Sequence, residues 1–139
     1  LSKIIKIYKS DHIWFFMIIL IISTNYQNQI HFIEHIKERG EPFMIKIVCH
    51  MKVMAEKVDD FKAVAKEIVE KSSAESGNIS YTLNQNIKNP QELTMIEVWK
   101  DQTAINEHNT SEHFTRILPQ MVAMCEAAPA IHLYNEVTF

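Results

Sequence analysis

From Met44 onward, apolar and polar residues fall into short regular alternations. In "MIKIVCHMKVM" (44–54), Ile45, Ile47, Cys49 and Met51 share one parity and Lys46, Val48, His50 and Lys52 the other. That pattern predicts a strand with one buried side and one wet or pocket-facing side. The period then changes. In "EKVDDFKAVAKEIVEKSSAESG", Val58, Phe61, Val64, Ala65, Ile68 and Val69 form an apolar stripe at helical spacing. Asp59 and Asp60 stand in an early turn and Lys71 near the end, as the helix dipole favours, and Gly77 is expected to stop the helix in the left-handed conformation. "NISYTLNQNIK" (78–88) returns to alternation, with Ile79, Tyr81 and Leu83 on one face. "NPQE" (89–92) is a turn, since Pro90 fixes φ beside Asn89, and "LTMIEVWK" (93–100) is a third strand paired to the second as a hairpin. Asp101 is placed to cap a short helix to about Asn109. Thr110 or Ser111 then caps another through Cys125, bent or restarted at Pro119, with Leu118, Met121 and Met124 in its core stripe. "AIHLYNEVTF" (130–139) is a fourth strand.

The order β-α-β-β-α-β is the α+β, ferredoxin-like arrangement, and it occupies residues 44–139. Residues 1–43 read differently. They are crowded with Ile, Lys, Asn, Phe and Tyr, the amino acids of AT-rich codons, and carry no clean period. The apolar run Ile13 to Ile22 is ten residues long, short of the roughly 20 a membrane-spanning helix takes. Lys3, Lys6 and Lys9 ahead of it resemble the start of a secretory signal, but no small-x-small cleavage site follows. Arg39-Gly40-Glu41 can be encoded as a sequence close to a bacterial ribosome-binding site. Residues 1–43 are therefore expected to be translated upstream sequence, a non-domain extension, with Met44 the start. A genuine export or membrane anchor and an ordinary structured extension are the alternatives.

A net charge of -3 argues against a nucleic-acid partner, whose backbone calls for a basic face. With two glycines, Gly40 and Gly77, there is no glycine-rich phosphate loop. Cys49 and Cys125 lie far apart with no CxxC, so they read as buried thiols in a reducing compartment, which points to a cytoplasmic protein. No sequence pattern indicates zinc, an iron–sulfur cluster or another cofactor.

Chemistry concentrates in "IEVWKDQTAINEHNTSEHF" (96–114). Met95, Glu97 and Trp99 share one face of the third strand. If the following helix folds back over that face, His108 can approach Glu97, and His113 can approach from the rim. A carboxylate and an imidazole beside an aromatic wall can hold a flat organic molecule and move a proton. Bland readings stand beside this one. Glu97 can be solvated or paired with Lys46 or Lys52, Trp99 can be plain core, and His113 can be a local cap contact. A metal reading is weaker, since His108 and His113 are five residues apart and not at the i, i+4 spacing of two ligands on one helical face. Tyr81, Asn84 and His50 are lesser substrate-binding candidates.

At these residues a family resemblance emerges. The stretch "GNISYTLNQNIKNPQELTMIEVWKDQTAINEHNTSEHF" resembles the antibiotic biosynthesis monooxygenase family, especially its small quinol-monooxygenase-like bacterial members. The matching features are a Gly-x-x-x-Tyr entry to the second strand, an acidic-x-Trp on the third, an Ala-x-x-x-His helix and the His-Phe pair of "SEHF". The resemblance implies a homodimeric α+β barrel of two ferredoxin-like sheets, with the last strand, around "IHLYNEV", reaching toward the partner. It also implies oxidation of hydroquinone-like aromatics by molecular oxygen without metal or flavin. Glu97, Trp99, His108 and His113 match the family pattern, and Phe114 follows as an apolar wall. A haem-degrading branch uses an asparagine and a histidine where this chain has Cys49 and Leu118, which argues against haem. Another relative isomerises a phosphorylated sugar and keeps the paired histidines, so the motif marks a pocket better than a reaction.

The expected function is a cofactor-independent monooxygenase acting on a small hydroquinone or polyphenol. His108 or His113 would be the base, Glu97 would orient it, and Trp99 and Phe114 would hold the ring. The alternatives are an isomerase of a small carbonyl compound and a non-enzymatic dimeric protein that binds a small aromatic. Lys100 and Arg116 are the cations nearest the motif.

Overall fold

The computed structural model describes residues 44–137. The expectations for 1–43, and for the last two residues of the fourth strand, lie outside the described residues. Strand β1 is Ile45–Lys52. After a single 3-10 turn at Ala55–Lys57 comes helix α1, Val58–Ser73. Strands β2 (Asn78–Gln85) and β3 (Glu92–Trp99) form the hairpin. Helices α2 (Gln102–Thr110) and α3 (Glu112–Ala123) follow, then strand β4, Ala130–Asn135. The strands make one antiparallel sheet in the order β2-β3-β1-β4. This is the ferredoxin-like α+β order that the alternation predicts. Among the described residues no helix is long and apolar enough to cross a membrane.

Period-two geometry decides which face carries the core. Ile45, Ile47 and Met51 of β1 and Leu93, Met95 and Trp99 of β3 are buried together. The stripe of α1 covers them with Phe61, Ala65, Ile68 and Ser72, and α3 adds Ile117 and Met121. Met124 and Leu118, expected in the core, are half-buried. The opposite face carries His50, Thr94, Ile96, His132 and Tyr134, with Ile96 and Tyr134 exposed.

Three local expectations change. Ile79 does not share the buried face of Tyr81, because the register slips between Asn78 and Ser80. The extra residue of that bulge turns Ile79 outward, and it is exposed. Gly77 is not a left-handed stop. The chain leaves α1 through Ala74 in right-handed geometry, and Gly77 is needed for space: a Cβ there would lie 2.2 Å from the Cβ of Ala104. The turn after α1 and the start of α2 therefore pack closely at Gly77 and Ala104. Finally, α3 runs unbroken through Pro119.

Candidate active site

The β3–α2 junction is built by two caps. Asp101 accepts a hydrogen bond from the Ala104 amide at 2.8 Å, a contact of the kind that contributes about 1 kcal/mol. Ser111 closes α2 and opens α3, accepting from the Phe114 amide at 3.3 Å. These caps hold α2 over the inner sheet face, so His108 points inward and is 1% exposed. His113 begins α3 on the far side of the bend.

The histidines meet a carboxylate, but it is not Glu97. His108 Nδ1 lies 2.8 Å and His113 Nε2 2.9 Å from the same atom, Glu75 Oε1. Glu75 sits in the turn after α1, next to the Gly77 contact that brings this turn against α2. His113 Nε2 also has Ser72 Oγ at 3.3 Å and Ser111 Oγ at 3.4 Å. The local cap contact is thus present, as the weaker part of a larger arrangement. Because a carboxylate only accepts, His108 donates through Nδ1–H, and its lone pair is left on Nε2. Nε2 is buried with no hydrogen-bond partner among the described residues.

Glu97 is buried on the same face but bonded elsewhere. It accepts from Trp99 Nε1 at 2.8 Å, and Tyr81 stands directly across the β2–β3 ladder from it. It pairs with neither Lys46 nor Lys52, which bind Glu136 and Glu126 on the outside. Burial is the largest influence on its carboxyl and pushes it up to about 7, against the neighbouring Trp99 and Tyr81, which lower it. Burial likewise lowers His108, with Glu75 pulling the other way. Cys49, on β1 across from Met95, is a free thiol that burial and the nearby Glu97 push up to about 12.

Aromatic rings enclose His108. Its ring centroid lies 4.4 Å from Phe114, 4.7 Å from Trp99 and 5.5 Å from Tyr81. The structure thus brings together Glu97, Trp99, Tyr81, His108, His113 and Phe114. It does not bring in His50 or Asn84. Both lie on the outer sheet face, where His50 contacts the Thr94 hydroxyl at 3.1 Å and Asn84 binds Thr82 and the Thr94 carbonyl.

Two participants escaped the sequence reading. Glu75, within "SSAESG", was not singled out. Ser72 had a legible signal, a small polar residue at the next step of the Phe61, Ala65, Ile68 stripe.

The donor atoms of Glu75, His108 and His113 lie within 4.8 Å of one another, a set chemically suited to a divalent ion. A metal-bound imidazole normally donates its other N–H to an acceptor, and His108 Nε2 has no such partner among the described residues. The arrangement fits a carboxylate shared by two imidazoles better than a metal centre.

A family model described as antibiotic biosynthesis monooxygenase matches residues 44–120. The chain is 37% identical over 71 residues to "Putative monooxygenase YcnE" of Bacillus subtilis, a match spanning 51% of this chain and 75% of that protein. Among solved structures it is similar to a conserved protein from Methanosarcina mazei Go1, with a TM-score of 0.67 and 32% identity over 69% of this chain and 95% of that one. It is also similar to a structure described as an antibiotic biosynthesis monooxygenase, with a TM-score of 0.65 and 29% identity over 68% and 99% of the two chains.

Proposed function

We propose that this chain, which belongs to the antibiotic biosynthesis monooxygenase family, oxidises a small hydroquinone or polyphenol with molecular oxygen, using its own side chains and no bound cofactor. The observation that carries this reading is His108 Nε2, an unpaired basic nitrogen set among Trp99, Tyr81 and Phe114. Glu75 fixes the tautomer that leaves this nitrogen free, and burial favours the neutral, proton-accepting form.

In the proposed reaction His108 takes a phenolic proton. The electron-rich ring passes an electron to oxygen, and the radical pair recombines at a ring carbon to give a peroxide. Protonation of the peroxide, loss of the proton on that carbon and departure of water leave a new carbonyl. A hydroquinone and one oxygen molecule thus become a hydroxyquinone and one water, with no external reductant. Trp99 and Phe114 hold the ring and keep bulk water from the radical pair. Nε2 is closed to solvent, so ring entry must displace a wall residue, and half-buried Phe114 is the wall nearest His108.

Arg116 is engaged by Glu67 at 2.6 Å and Glu112 at 2.7 Å, which supports a neutral aromatic over a phosphorylated carbonyl substrate. The exposed apolar residues Ile96 and Tyr134 on the outer sheet face support a homodimer. The free thiols support a cytoplasmic location.

The test is oxygen uptake by the full chain, in chelator, across a panel of hydroquinones, against the spontaneous rate and against His108→Ala and His113→Ala. Uptake above the blank that falls at least about a hundredfold in His108→Ala is expected for a general base. No uptake with any hydroquinone overturns the reading and favours isomerisation or simple binding.

A further inference from the structure

Three oxygens surround one nitrogen of His113. Nε2 lies 2.9 Å from Glu75 Oε1, 3.3 Å from Ser72 Oγ and 3.4 Å from Ser111 Oγ. A carboxylate only accepts, so Nε2 carries the hydrogen, and Glu75, the nearest of the three, receives it. With its hydrogen given to Glu75, this nitrogen has no lone pair to take up a proton. Ser72 is 0% exposed at the end of the apolar stripe of α1, and Ser111 is engaged as a cap by the Phe114 amide. The two hydroxyls leave the His113 ring little room to turn. Its bond bears on His108 as well, because both imidazoles meet the same Glu75 oxygen.

We infer that His113 is a positioning residue and not the base: by holding Glu75 in place it fixes the tautomer of His108. Glu75 stands in the turn after α1, outside any regular element, and its side chain is 20% exposed. A carboxylate that close to water stays turned inward only while donors hold it. His108 supplies one N–H from α2 and His113 the other from α3. With the His113 donor removed, a single N–H remains, and hydration of the carboxylate competes with it. Once Glu75 turns outward, no carboxylate holds the His108 hydrogen on Nδ1, and it is free to settle on Nε2. The ring itself stays where it is, 1% exposed and packed against Phe114 at 4.4 Å and Trp99 at 4.7 Å. The nitrogen facing those aromatics then donates where it had accepted, and a base in the wrong tautomer loses most of its rate. That consequence for catalysis rests on the proposed function, whereas the effect on the tautomer does not.

The experiment is nitrogen-15 NMR of the full chain with labelled histidine in mildly alkaline buffer, the His108 signals being assigned by their loss in His108→Ala. In the unsubstituted protein His108 is expected to carry its hydrogen on Nδ1. His113→Leu removes the second donor and is expected to move both His108 signals toward the Nε2–H form. His113→Gln, whose amide can donate to Glu75 but cannot act as a base, is expected to restore the Nδ1–H form. An unchanged His108 tautomer in folded His113→Leu overturns the inference. Oxygen uptake is then measured on the same proteins. A kcat lowered about tenfold or more in His113→Leu, with KM little changed and both signals restored in His113→Gln, assigns His113 the positioning role in the reaction. A His113→Gln protein that loses its activity while His108 keeps the Nδ1–H form makes His113 the base and overturns the inference, whether or not His113→Leu folds. A shifted tautomer in His113→Leu, with no uptake even in the unsubstituted protein, supports the hold on Glu75 and refutes the proposed function.

Discussion

Replacing Glu97 with Gln should stabilise this protein at alkaline pH and slightly destabilise it at acid pH. Glu97 is buried at 7% exposure in the middle of the sheet. Burial raises its carboxyl from the ordinary 4.5 to about 7. The folded chain therefore keeps this proton to higher pH than the unfolded chain does. Between these two values folding binds a proton, so stability falls as pH rises, and above about 7 the whole deficit remains. A displacement from 4.5 to about 7 is worth about 3 kcal/mol at ~1.36 kcal/mol per pH unit. Gln removes that term because it carries no charge. It also brings an NH2 group to a site where the carboxylate accepted from Trp99, at a cost of about 1 kcal/mol for one mismatched hydrogen bond. Glu97→Gln should thus be about 2 kcal/mol more stable at pH 8.5 and up to about 1 kcal/mol less stable at pH 4.5. Urea unfolding followed by circular dichroism, at several pH values between these limits, measures the difference. Comparing the two proteins at each pH largely cancels what His108 contributes. A difference that stays constant with pH would refute the reasoning, because it would mean that Glu97 ionises in the folded state as easily as in the unfolded one.

Other outcomes follow from the same geometry. Glu75→Gln should lower kcat for oxygen uptake by about ten- to a hundredfold. It should also move the acid limb of the pH–rate profile to lower pH, because Glu75 is what raises the His108 imidazole; an unmoved limb would separate Glu75 from the base. Gly77→Ala must push α2 away from the turn after α1, given the 2.2 Å approach to Ala104, and should cost about 1–3 kcal/mol in urea unfolding, with loss of activity at temperatures where the chain is still folded. If the outer sheet face is a homodimer interface, Ile96→Lys should shift the protein from dimer to monomer in analytical ultracentrifugation, and an unchanged mass would place the interface elsewhere.

The sheet was legible because alternation has a fixed period. Ile45 to Met51 and Leu93 to Trp99 each declare an inner face, and that placed Glu97 and Trp99 side by side before any coordinates. The helix ends were legible at Asp101 and Ser111, whose side chains cap by a local rule. What could not be read depended on contacts distant in sequence. Glu75 reaches His108 across 33 residues, and nothing within "SSAESG" announces it. The sequence reading therefore joined the histidines to Glu97, the nearest acid in its motif. His50 and Asn84 were polar residues on strands whose facing was known, but that face proved to be the one away from the imidazoles. Ile79 was misplaced because one extra residue in the ladder defeats a period-two count. Gly77 was assigned a dihedral role because glycine often has one, whereas the requirement here comes from Ala104.

Ser111 is the last cap of one helix and the first of the next, and its extended backbone, φ -64° and ψ 149°, is the joint between them. His108 is keyed into the core on one side of that joint, and His113 rides the partly exposed helix on the other. A small rotation about the Ser111 backbone would swing His113 and Phe114 together while His108 and the sheet stayed fixed. A substitution at that pivot would therefore reshape the surroundings of His108 from one side while leaving the core undisturbed.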